Sequence, residues 1–253
     1  MKGTKIEGSV ALVTGANRGI GKAIAERLLE RGATKVYVGA RDPKTVASLI
    51  DKYGDRVVPL QLDVTNVAEV ANAVSAAGDL QLLFNNAGVA QGKDLTSKEI
   101  VDQARNEMEV NYFGPLNLLQ QFAPTLKHNG GGSVVNVASI GGLTNFPMYP
   151  TYSASKAAIH SLTQGARMLL GSQGTQVAGV YPGPVDTEMS RGIEMDKATP
   201  QTVANAILDG VEEGREDIFP DPFAKQFGEQ YQSSPKESEQ QITAMVSEPQ
   251  TTH

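Results

Sequence analysis

The chain has no cysteine and no tryptophan. Without cysteine there is no disulfide, no thiol nucleophile and no thiolate metal site. A reducing compartment suits such a chain. The three histidines, His128, His160 and His253, are scattered, so no metal is expected. Basic residues number 22 against 28 acidic ones, for a net charge of −6. No basic block could neutralise phosphates along a duplex, which argues against a nucleic-acid partner. No stretch reaches the roughly 18 apolar residues of a membrane span. Met1 to Gly8 is polar and lacks the apolar core of a signal peptide. The expectation is a soluble, cytoplasmic protein.

What is present is ordinary globular material: 253 residues, 40% hydrophobic and 20% charged, with 26 glycines. That suits one α/β domain with a sizeable core. Short β-branched apolar runs recur at Val10–Thr14, Val36–Gly39, Val57–Leu62, Leu80–Asn85, Val134–Ala138 and Val177–Tyr181, with a very short seventh at Ile218–Phe219. Continuous apolar runs imply strands buried on both faces, as in a parallel sheet. Helical spacing fills the intervals. Ile20, Ile24, Leu28 and Leu29 form one stripe; Val67, Val70, Ala71 and Val74 form another. Thr96 to Glu99 has capping-box spacing before a long helical stretch reaching Lys127, kinked at Pro115. Thr199-Pro200 reads as an N-cap and first-turn proline opening a helix through Gly210.

This alternation predicts a doubly wound, mostly parallel, seven-stranded sheet of Rossmann type with helices on both faces. Residues 1–230 are expected to form that one domain. Residues 231–253, polar and without periodicity, read as a mobile tail. Ligands of such sheets lie beyond the strand C-termini.

After the first strand comes Thr14-Gly15-Ala16-Asn17-Arg18-Gly19-Ile20-Gly21, leading into a helix. Gly15 allows a tight turn, Gly19 lets backbone approach a diphosphate, and Gly21 permits close helix–sheet packing. The helix start aims free N–H groups at the phosphates, with Asn17, Arg18 and Ile20 completing the loop. At the end of the second strand, Ala40 stands where an acidic residue would bind a ribose 2′-hydroxyl, and Arg41 follows. Arg18 and Arg41 can converge on a 2′-phosphate, which favours NADP(H). Asp42 would favour NAD(H) if the alignment moved to it.

From about Lys5 to Pro220 the chain resembles the short-chain dehydrogenase/reductase family. The resemblance rests on the glycine turn, Asp63-Val64, Asn85-Asn86-Ala87-Gly88, Asn111, Ser139, Tyr152-x-x-x-Lys156, and Pro182-Gly183 followed by Thr187. It implies NADP-dependent interconversion of a carbonyl compound and an alcohol. Tyr152 and Lys156, four apart, share a helix face. The ammonium, with the positive oxidised nicotinamide, is expected to lower the phenol's pKa, so that Tyr152 acts as general acid in reduction and base in oxidation. Ser139, at a strand end, would hold the substrate oxygen. Asn111 would build a water relay to the lysine. The resemblance also implies that Asp63 and Val64 meet the adenine and that Asn86, Ala87 and Gly88 pass the adenosine ribose. Lys156 would bond the nicotinamide ribose. Pro182 and Gly183, with Val185 and Thr187, would orient the ring.

Between Thr187 and the next helix stand only Glu188 to Ala198, a short substrate lid. Val89, Leu143, Phe146, Met148, Tyr149, Pro184 and Met189 are candidate pocket residues, mostly apolar, favouring small neutral ketones or aldehydes. The chain lacks the glycine pair with which many relatives end, so the C-terminal tetramer contact is in question. A homodimer or homotetramer is the expectation. A non-catalytic NADP-binding sensor is the alternative reading, disfavoured because both Tyr152 and Lys156 are retained. A halohydrin-processing lyase is disfavoured by the intact glycine turn.

Overall fold

A computed structural model describes residues 3–92, 95–192 and 194–247. His253 and the rest of 248–253, and Ile193 of the short lid, lie outside the described residues. Seven strands alternate with helices. They are β1 (Val10–Thr14), β2 (Lys35–Ala40), β3 (Val57–Gln61), β4 (Leu82–Asn85), β5 (Gly132–Val137), β6 (Thr175–Val180) and β7 (Asp217–Ile218). They form one sheet in the order β3-β2-β1-β4-β5-β6-β7. Every pairing is parallel. The order reverses between β1 and β4, the switch point where such sheets open a crevice. β3 is an outer strand, buried only at Val57 and exposed at Pro59 and Gln61, and Pro59 is tolerated there.

The helices are α1 (Gly19–Glu30), α2 (Ala47–Tyr53), α3 (Val67–Ala76), α4 (Ile100–Met108), α5 (Gly114–His128), α6 (Pro150–Leu170), α7 (Pro200–Glu213), α8 (Pro222–Ser233) and α9 (Pro235–Ser247). Strand side chains alternate faces, so each strand feeds two cores. Ala11 and Val13 pack with Ile24 and Leu28 of α1 and Val203 and Ile207 of α7. Leu12 and Leu83 pack on the other face with Val70 of α3 and Leu118 and Phe122 of α5. The α3 stripe is narrower than its spacing suggested: Val70 is buried, while Val67 is 61% exposed. Thr199 accepts a hydrogen bond from the Thr202 N–H, the cap expected for α7. Among the described residues, no helix is long and apolar enough to cross a membrane.

Three elements differ from the sequence-based expectation. α4 starts at Ile100, not at the Thr96 capping box. Ahead of Pro115 the helix is not plain α: Glu109–Phe113 widens into one π-helical turn between α4 and α5, with right-handed helical backbone at both junctions and the Gly114 N–H bonded to the Glu109 carbonyl. Finally, the polar segment after Tyr231 is helical: α9 follows α8, and Ile242, 3% exposed, packs against Ala138, Ile140 and Phe227 in a third hydrophobic cluster. Among the described side chains of α9, Ile242 is the one buried apolar residue, with Ser238 buried one turn before it.

Candidate active site

The glycine turn leaves β1 and enters α1 at the switch point. Gly15 and Gly19 have φ of +64° and +54°, the left-handed region that favours glycine. At Gly21 the constraint is space: a Cβ would fall 2.3 Å from the Gly15 carbonyl oxygen. Thr14 Oγ accepts hydrogen bonds from the Asn86 and Ala87 N–H groups, both at 3.0 Å. Asn86 Nδ2 donates to the Thr14 carbonyl at 2.9 Å. The ends of β1 and β4 are thereby tied into one platform. Arg18, the N-cap of α1, makes no side-chain cap, and the first turn has no acidic residue. These uncapped N–H groups fit a diphosphate.

On the adenosine side, Arg41 is exposed and, among the described residues, has no carboxylate partner. Asp42 is occupied locally: its carboxylate accepts the Lys44 N–H at 3.0 Å and caps a short 3₁₀ turn. Arg18 does not lie free. Its guanidinium pairs with Glu188 in the lid. Asp63 accepts from the Thr65 N–H and hydroxyl at 3.0 and 2.7 Å. Val64 is 4% exposed, and a Cβ on Gly114 would fall 2.6 Å from its Cγ2. Its side chain belongs to the core, so only its backbone can face an adenine.

Ser139 stands just past β5, and its Oγ accepts the Gly141 N–H at 3.1 Å. The hydroxyl also lies near enough to Tyr152 to favour its phenolate. Lys156, one turn along α6, is 5% exposed. Its Nζ donates to the Val137 carbonyl at 2.8 Å and lies 5.6 Å from the Tyr152 ring centre. Tyr152 keeps some solvent contact, but the protein packed around its hydroxyl pushes the phenol up to about 12; Ser139 opposes this and the Glu107 charge adds to it. In the cofactor-free protein, burial thus outweighs the neighbouring lysine. Burial also draws Lys156 down to about 8, which weakens the ammonium as a stabiliser of phenolate.

The lowered lysine has a measurable consequence. An unfolded chain holds that proton to about pH 10.4. Between its folded value near 8 and that limit, the unfolded state binds the extra proton. The Lys156 contribution to stability therefore rises with pH across this window and is flat below it. Denaturant titrations should show wild type gaining about 2 kcal/mol on Lys156→Met between pH 7.5 and 9.5. Parallel curves for the two proteins would contradict the assignment.

Asn111 lies in the π turn and is 1% exposed. Its Oδ1 accepts the Val89 N–H at 2.9 Å, while Nδ2 donates to the Val89 carbonyl at 2.8 Å and to Ser155 Oγ at 2.9 Å. It does not bond Lys156. A Cβ on Gly88 would fall 3.2 Å from Asn111 Oδ1 and 3.5 Å from Lys156 Nζ, so both groups border one small space. Sequence reasoning missed Glu107, one helical turn earlier and fully buried, whose Oε1 accepts the Gln91 N–H at 2.7 Å. A glutamate in a polar helix carries no sign of burial; only its spacing of four from Asn111 hinted at a shared face.

Pro182, Gly183, Val185 and Thr187 follow β6. The Pro182 carbonyl accepts the Ile140 N–H at 3.2 Å, which joins this turn to the Ser139 loop. A Cβ on Gly19 would fall 3.2 Å from Thr187 Cγ2, so the turn also reaches the glycine loop. Of the candidate pocket residues, Tyr149 sets its ring edge-on to Tyr152, with centres 6.4 Å apart. Val89 and Pro184 are half-buried beside these turns, and Met148 and Met189 are exposed. Leu143 and Phe146 turn in part into the third hydrophobic cluster rather than wholly into the cleft. Among the described residues, no three His, Cys, Asp or Glu side chains gather to hold a metal ion.

A Rossmann-type sheet, a glycine turn at its switch point and a Ser-Tyr-Lys group at the same edge define a dinucleotide-dependent oxidoreductase. Residues 9–198 match the family model for short chain dehydrogenases, and the chain belongs to that family. It is 36% identical over 214 residues to an uncharacterized oxidoreductase of Staphylococcus aureus (strain MW2), covering 81% of this chain and 91% of that one. A short chain dehydrogenase from Burkholderia cenocepacia J2315, solved in complex with NADP, is 40% identical with a TM-score of 0.88, covering 98% of this chain and 100% of that one. A relative from Burkholderia phymatum, solved in complex with NAD, is 28% identical with a TM-score of 0.78, covering 90% and 96% of the two chains.

Proposed function

We propose that the protein reduces small neutral ketones or aldehydes to alcohols with NADPH, reversibly, using Tyr152 as the proton donor. The observation that carries this reading is the grouping of Ser139, Tyr152 and Lys156 at one sheet edge: the serine acts on the phenol, and the buried Lys156 Nζ lies 5.6 Å from the Tyr152 ring centre. A substrate oxygen placed between the two hydroxyls would meet a donor on each side. The bound cofactor supplies a hydride to the carbonyl carbon. Tyr152 gives its proton to the carbonyl oxygen as negative charge develops there, and Ser139 steadies that oxygen. A phenol held up near 12 is fully protonated at neutral pH, so the acid is loaded for reduction. Oxidation needs the phenolate and should accelerate as pH rises. Lys156 stabilises the phenolate left behind; Nζ has two hydrogens beyond the one on Val137.

NADP(H) is favoured by the unpartnered Arg41 and by the engagement of Asp42 in its own turn. The NADP complex of the 40% identical relative supports the same choice. Arg18 can join only by leaving Glu188. A panel of neutral carbonyl compounds run with NADPH and NADH in parallel tests the reading. NADPH oxidation should dominate; a folded protein that binds NADPH and turns over no substrate would refute it. Arg41→Ala should raise the KM for NADPH about tenfold and leave that for NADH unchanged. We read the exposed Met168 and Leu169 on α6, 78% and 76% accessible, as part of a self-association surface.

A further inference from the structure

We propose that Asp221, beyond the region matched by the family model, is a positioning residue for the nicotinamide end of the cofactor site, and that the C-terminal helices are therefore part of the active site. This rests on the cofactor reading above. Asp221 is 2% exposed, and none of the described ion pairs supplies it with a cation. Its two oxygens serve different elements. Oδ1 accepts the Ala224 N–H at 2.8 Å and caps α8. Oδ2 accepts the Gly183 N–H at 2.9 Å. A carboxylate only accepts, so both of its bonds point the same way, into backbone donors. The positive end of the α8 dipole offsets its buried charge.

The link is tightly filled. A Cβ on Gly183 would fall 2.9 Å from Asp221 Oδ1 and 3.0 Å from Phe223 Cδ1. The turn from Pro182 to Thr187 is thus held from behind by the start of α8. In front it is held by the Ile140 N–H on Pro182, and at its far end by the Ala198 N–H on the Pro184 carbonyl at 3.0 Å. The opposite wall leans on the same helix, since the Phe146 ring lies 5.9 Å from that of Phe227. Moving α8 would therefore shift both the nicotinamide turn and the serine loop. The adenosine side of the site, built on β1 and β2, has no such connection to Asp221.

This asymmetry sets the test. Asp221→Asn places an NH₂ group against a backbone N–H and weakens one of the two bonds; Asp221→Ser keeps an N-cap oxygen but is too short to hold both partners. Binding of NADPH and of 2′-phospho-ADP-ribose, which lacks the nicotinamide, is measured by calorimetry on wild type and on whichever variant retains a cooperative melt. The expected result is an NADPH Kd raised about tenfold with the fragment Kd unchanged. An unchanged ratio of the two constants, whether both hold or both move together, overturns the proposal. Failure of wild type to bind NADPH would instead refute the proposed cofactor.

Discussion

Tyr152→Phe should lower turnover about a thousandfold while leaving NADPH binding intact. The substitution removes one hydroxyl and no packing volume. It takes away the proton delivered to the substrate oxygen and the hydroxyl beside Ser139. Lys156 keeps its bond to Val137, so the floor of the site stands. A ligand that binds only the folded state raises its stability by an amount set by concentration over Kd. The upward shift in Tm on adding NADPH should therefore match that of wild type. Turnover within tenfold of wild type would remove Tyr152 from the role of acid. In wild type, the oxidation rate should rise with pH, because oxidation needs the phenolate and burial holds the phenol up to about 12 in the cofactor-free protein. A positively charged oxidised nicotinamide would bring that limb down.

Gly21→Ala should cost about 3 kcal/mol of stability and abolish the NADPH-induced shift in Tm at concentrations that saturate wild type. The added methyl would lie 2.3 Å from the Gly15 carbonyl oxygen and 2.4 Å from Asn86 Nδ2. Neither neighbour can yield cheaply. Gly15 is committed to φ of +64°, and Asn86 holds the Thr14 carbonyl. Relief requires opening the turn that would cradle the diphosphate. Gly165, inside α6, is the control: a Cβ there meets nothing within 4 Å. Gly165→Ala should stabilise by about 0.5–1 kcal/mol through helix propensity alone. A wild-type melt and NADPH response for Gly21→Ala would refute the packing argument.

The parts legible in the sequence were those governed by local pattern. Apolar runs marked β1, β2, β4, β5 and β6 because both faces of a parallel sheet are buried, while the outer, partly exposed β3 and the two-residue β7, which starts one residue before the run read for it, carried a weaker signal. The glycines announced a turn because each meets a backbone limit that only glycine satisfies. Ser139, Tyr152 and Lys156 were legible as a group through their placement at a strand end and on one helix face. Tertiary partners decided the rest. Arg18 was read as a phosphate ligand, yet Glu188, 170 residues away, is its partner in the structure. Val64 was placed at the adenine, but the small Gly114 draws its side chain inward. α9 was hidden because Ile242 finds its apolar surroundings on the turn after β5, on α6 and on α8, not within its own segment. The sign of the Tyr152 shift also lay beyond sequence. A lysine four residues away announces a charge but not the burial that outweighs it.

The strand order has a kinetic consequence. β1 sits between β2 and β4, and Val13 pairs with Phe84 across 71 residues of chain. The hydrogen bonds of Thr14 to Asn86 and Ala87 close the same long loop. Such closure is entropically slow, and parallel pairing cannot shorten it with a hairpin. The glycine turn can acquire its geometry only after β4 has docked, late in the assembly of the sheet. A refolding chain would thus become able to hold its cofactor in the final steps, and NADPH added during refolding would slow unfolding without hastening the search for the native topology.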